Sequence, residues 1–134
     1  QRQKPPFIVC IDPGHPSETA AGAVANGLSE NRLNWQVAVR LAHKLNALKI
    51  PWVMTKSREN EKVTNRRRAE IANGANAYRQ PTAMFIRLHC DVGRGSGFAW
   101  YYPDRAATKQ GVTGPPRNVQ IASRALAHTM NEAM

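Results

Sequence analysis

His15, Glu30 and His89 are the residues of this chain best suited to shared chemistry. His15 closes the stretch FIVCIDPGH, in which an apolar run is stopped by Asp12, Pro13 and Gly14. His89 closes a second apolar run, AMFIRLH, and Glu30 opens a long amphipathic segment between the two. Two neutral imidazoles and one carboxylate fill three positions of a tetrahedral zinc ion and leave the fourth for water. Such an ion acidifies that water and polarises a carbonyl. Asp12, Asp91 and nearby backbone carbonyls are placed to orient the rings through their second nitrogens. Taken singly, each histidine also reads as a polar residue closing a strand, and a lone His–Glu spacing is weak.

For the three to meet, the elements around them must share one edge of a sheet. In parallel α/β sheets, functional residues gather at the carboxyl ends of the strands. Residues 7–11 predict a first strand and 12–28 a loop, with a turn at Asn26-Gly27. A helix starts at the N-cap Ser29 and carries Leu33, Val37, Leu41, Leu45 and Leu48 as an apolar stripe. Ile50-Pro51 ends it, and Trp52 to Thr55 predicts a second strand. After a charged loop, a second helix runs from about Thr64 to Ala72 and stops at Asn73-Gly74. Ala83 to Leu88 predicts a third strand, and Gly97 to Tyr102 a fourth, aromatic one. Residues 103–116 predict an exposed loop, and from Asn118 a last helix carries Val119, Ala122, Leu126 and Met130 on one face.

The order β–α–β–α–β–β–α implies an α/β domain with a mostly parallel or mixed sheet flanked by helices. It sets His15, Glu30 and His89 on one rim. The last helix buries an apolar face but no strand follows it, so the expectation is a single domain over 1–134, incomplete at its C-terminal end.

Composition narrows the function classes. The chain has 134 residues, 42% of them hydrophobic. A domain of that size buries roughly two-thirds of its unfolded surface. Its formal net charge is +10, from 19 Lys and Arg against 9 Asp and Glu. That excess favours an anionic partner. The cations Lys56, Arg58, Lys62, Arg66, Arg67 and Arg68 cluster around the second helix start, either as a solvated face or as a grip on an anionic polymer. Nucleic acid is not the expected partner, because Trp100, Tyr101 and Tyr102 do not interleave with the basic run. No stretch approaches the roughly 18 apolar residues of a transmembrane segment. The chain opens without Met or a leader, as a processed end or an excised domain would. Cys10 and Cys90 read as two partly buried thiols.

The segments IVCIDPGHP, NGLSENRLNWQVAVRLAHKL and AMFIRLHCD together resemble the zinc-dependent N-acetylmuramoyl-L-alanine amidases of bacterial cell-wall turnover. TKSRENEKVTNRRRAEIAN and GSGFAWYY extend the likeness over almost the whole chain. The resemblance implies Zn²⁺ held by His15, Glu30 and His89. It implies hydrolysis of the amide between N-acetylmuramic acid and L-alanine in peptidoglycan. It also implies a place in the cell envelope, periplasmic or extracellular.

The chain departs from the family pattern at Pro16-Ser17, where Gly-Gly is usual, at Lys56 for Arg, at Glu59 near the usual Asp, and at Cys90. The family's general-base glutamate lies on a strand after the last helix. Here the acids after His89 are Asp91, Asp104 and Glu132. Glu132 reads as a surface charge and Asp91 as support for the site. No catalytic residue beyond the metal ligands is therefore identified in this chain, and the general base is expected downstream of Met134. The alternative is a non-catalytic peptidoglycan-binding or regulatory module that keeps the fold, with or without the metal.

Overall fold

A computed structural model describes residues 4–134. They form two compact units, one reaching to Val92 and one spanning Gly93–Met134. The first contains β1 (Val9–Pro13), β2 (Val24–Ala25), β3 (Leu28–Ser29), α1 (Glu30–Ala47), β4 (Trp52–Met54), α2 (Asn65–Ala72) and β5 (Met84–Leu88). The second contains β6 (Ala107–Lys109), β7 (Val112–Gly114) and α3 (Arg117–Ala133).

β1 is the centre of the first unit. It pairs in parallel with β4 on one side and β5 on the other. Side chains alternate across a strand, so its two faces meet different helices. Val9 and Ile11 pack with Ala38, Ala42 and Leu45 of α1. Ile8, at the strand's approach, and Cys10 pack with Val53, and Ile71 and Ala72 of α2 close over them. The predicted parallel α/β arrangement is present, with a helix on each face. Each aliphatic side chain fully buried this way stabilises the fold by about 1.5–3 kcal/mol.

The buried line of α1 differs from the predicted stripe. It runs through Glu30, Asn31, Asn34, Ala38, Ala42 and Leu45, while Val37 and Leu48 are exposed. Alanines let the helix approach β1 closely, and the polar residues at its start satisfy partners at the sheet rim. Leu45 and the partly buried Leu41 of the predicted stripe do face the core, but the large apolar residues alone do not trace the buried line. The start itself is as expected: the Ser29 hydroxyl caps the helix by accepting from the Arg32 N–H.

Two further corrections concern short strands. The predicted loop over 12–28 holds the β2–β3 hairpin, turned at Asn26 (φ 52°) and Gly27 (φ 74°). Positive φ at both turn residues is what a two-residue hairpin needs. In the second unit, the predicted aromatic strand over 97–102 does not form. The β6–β7 hairpin lies instead within the predicted loop, turned at Gln110 and Gly111. Aromatic propensity does not make a strand without a pairing edge.

Cys10 and Cys90 are free thiols, Cys10 fully buried. No helix among the described residues is long and apolar enough to cross a membrane.

Candidate metal centre

The carboxyl ends of β1 and β5 and the amino end of α1 meet at one rim. His15 follows β1, His89 follows β5, and Glu30 is the first residue of α1. A carboxylate there also suits the positive end of the helix dipole. The β2–β3 hairpin delivers Glu30 to the rim. The Glu30 N–H donates to the Ala23 carbonyl, and the Ala23 N–H donates to Glu30 Oε2, both at 2.9 Å. One carboxylate oxygen is thus occupied by the loop, and the other faces the histidines.

Glu30 Oε1 lies 3.3 Å from His15 Nε2 and 2.9 Å from His89 Nδ1. The donor atoms of the three residues all lie within 4.8 Å of one another. The two imidazoles stand edge to face, 4.9 Å between centroids. Side-chain exposure rises from 8% at Glu30 to 16% at His15 and 37% at His89, so the cluster opens to solvent on the His89 side.

The chemistry of this donor set tests its fit to a cation. His15 Nδ1 is 3.3 Å from the Ala20 carbonyl oxygen, an acceptor only. A proton held on Nδ1 leaves Nε2 as a lone pair aimed at the cluster. Burial pulls the Glu30 carboxyl upward. The Ala23 N–H, the His89 ring, the His15 charge and the Cys90 N–H outweigh it and hold the group below its ordinary range. Glu30 is therefore ionised at neutral pH. Lone pairs and a carboxylate converging this closely need a proton or a cation among them, either a ring N–H donating to Glu30 or a metal ion. Two imidazoles and a carboxylate match the ligand types of zinc.

Of the groups expected to orient the rings, a backbone carbonyl does so for His15, and Asp12 does not. Asp12 is fully buried on the α2 face of β1. Its Oδ1 accepts from Arg68 Nη1 and from the Thr55 hydroxyl. Arg87 Nε lies 3.1 Å from Oδ2 as an ion pair, off the line of a hydrogen bond. Asp91 is exposed and makes no hydrogen bond to either ring among the described residues. The basic cluster also divides. Arg68 and Lys56 are buried, at 1% and 3% exposure, and belong to the scaffold. Arg66 and Arg67 remain outside and pair with Glu70.

Several supporting residues show their role only in the folded structure. Gly14 allows the His89 ring to approach, since a Cβ there would stand 2.5 Å from His89 Cε1. Gly22, at φ +101°, lies against the His15 side chain. Asn31 and Asn34 are buried polar residues on α1, one and four positions after Glu30. Asn34, at i+4, shares a helix face with Glu30, whereas Asn31, at i+1, does not.

The family model of N-acetylmuramoyl-L-alanine amidase matches residues 9–134. The chain is also similar to the N-acetylmuramoyl-L-alanine amidase CwlM of Bacillus licheniformis, with 34% identity over 97 residues. That stretch is 71% of this chain but 36% of the relative, so the match spans about a third of the relative's length. No solved structure matches. With the rim geometry and a family match from β1 to the last residue, the chain belongs to the N-acetylmuramoyl-L-alanine amidase family.

Proposed function

We propose that His15, Glu30 and His89 hold a zinc ion, and that the protein hydrolyses the amide joining N-acetylmuramic acid to L-alanine in peptidoglycan. The observation that carries this is the convergence of the three donor atoms within 4.8 Å, in a chain of this family. A bound zinc ion supplies an acidified water and a Lewis acid for the amide carbonyl.

The chain's own residues prepare that site. The Ala20 carbonyl keeps the His15 proton on Nδ1 and turns Nε2 inward. Ala23 and Cys90 N–H groups hold Glu30 ionised and fix its direction. The more exposed His89 lines the side from which a substrate amide approaches. The net charge of +10 suits a wall polymer bearing carboxylates and phosphates. By resemblance to the family, a glutamate outside the metal ligands serves as general base, and loss of such a base slows turnover by about 10²–10⁴. The site of action is the cell envelope, outside the cytoplasm.

The test uses the full-length protein on purified murein. Chelation should abolish release of stem peptides, and added Zn²⁺ should restore it. His89→Ala should keep its circular dichroism spectrum and lose its bound zinc. Undiminished turnover by that variant would sink the assignment. Zinc binding without turnover in the parent would favour a binding module over a hydrolase.

A further inference from the structure

We propose that Lys56 is a positioning residue for His15, holding the backbone that presents this imidazole to the metal; the proposal rests on His15 being a ligand. His15 has φ 61°, a left-handed conformation uncommon for a residue with a Cβ. The backbone on both sides of it is held through its carbonyl oxygens. Four consecutive carbonyls, 13 to 16, each accept a hydrogen bond from a side chain of another element. Arg68 donates to the Pro13 and Pro16 oxygens at 2.8 and 2.9 Å. Asn34 Nδ2 donates to the Gly14 oxygen at 3.2 Å. Lys56 Nζ donates to the His15 oxygen itself.

Lys56 suits the task because its three donors are all used. Besides His15, Nζ donates to Asn31 Oδ1 and to the Glu59 carbonyl, each at 2.8 Å. Asn31 in turn donates to Asn60 Oδ1. The ammonium therefore links the β1 loop to α1, next to Glu30, and to the loop after β4. Two of the three ligand-bearing segments are tied through one buried atom. With Nζ absent, the His15 carbonyl loses its side-chain donor, and the backbone presenting the imidazole is held by the Arg68 and Asn34 contacts on either side alone.

The experiment compares the parent chain with Lys56→Met and Lys56→Arg, and with Arg66→Met as an exposed-cation control. Hydrogen–deuterium exchange on the metal-free proteins reads the order of residues 12–24. Competition with a chromophoric chelator reads Zn²⁺ affinity. Lys56→Met should exchange faster in that segment and bind Zn²⁺ about tenfold or more weakly, the usual effect of losing a group that orients a ligand. Lys56→Arg should recover most of both, and Arg66→Met should match the parent. Parent-like exchange and affinity in Lys56→Met would overturn the proposal. A parent that binds no zinc would instead overturn the ligand assignment, and the exchange measurement would still judge the backbone clamp. If Lys56→Met does not fold, Asn31→Ala, which removes one acceptor of the ammonium, takes the same two readings.

Discussion

A Cβ on Gly14 would stand 2.5 Å from His89 Cε1 and 2.7 Å from both His89 Nε2 and the Leu88 carbonyl oxygen. The Gly14 N–H donates to that same oxygen at 2.8 Å, so the backbone cannot retreat without losing a sheet-end hydrogen bond. Gly14→Ala should therefore push the His89 ring out of line. Overpacking of this kind costs about 1–3 kcal/mol. On the proposed ligand assignment, loss of orientation should weaken zinc binding by about tenfold or more. Urea denaturation and chelator competition measure the two effects. Gly93→Ala, with nothing within 4 Å of the added carbon, is the matched control and should change neither. The DPGH stretch is conspicuous in the sequence, but the reason for its glycine is not. The clash is with a histidine 75 positions away, which becomes a neighbour only when β1 and β5 pair.

At the scale of elements, the Asp12–Arg68 pair fastens α2 to β1. Both side chains are almost wholly buried, and the guanidinium also serves the Val63, Pro13 and Pro16 carbonyls. Arg68→Met leaves a buried carboxylate without its main partner and should cost about 3–5 kcal/mol. Arg66→Met, at a side chain 81% exposed and paired with Glu70, should cost no more than about 1 kcal/mol. Equal unfolding midpoints for the two variants in urea would refute this division. The run Arg66-Arg67-Arg68 reads as one basic cluster because three adjacent charges look alike in a sequence. Successive helical residues point about 100° apart, since a turn holds 3.6 of them. Only the docking of α2 chooses which one goes inside.

For the molecule as a whole, the buried Cys10 thiol links stability to pH. Burial, and then the neighbouring Asp12 charge, push its pKa up to about 12 from the ordinary 9.0. In the unfolded chain the thiol ionises above 9.0, while in the fold it stays protonated to about 12. The unfolded state then binds fewer protons, so stability falls as pH rises through that window. This contribution is fully present below pH 9.0. Cys10→Ala should flatten the decline in urea midpoint between about pH 9 and 12, at the cost of a small cavity. An unchanged slope in that variant would show that other groups carry the alkaline sensitivity.

Sequence alone determined what short-range rules control. Apolar runs ending at His15 and His89, the Ser29 cap, the Asn26-Gly27 turn and the parallel α/β order are all local patterns. Each member of the candidate trio was marked by such a pattern, since strands and a helix start of this order share a rim, but their meeting was not. Tertiary structure alone decided which face of α1 is buried and which cations are enclosed. The cause is distance along the chain. His89 meets Glu30 across 59 positions and Arg68 meets Asp12 across 56. Contacts that far apart follow from packing, which no local window contains.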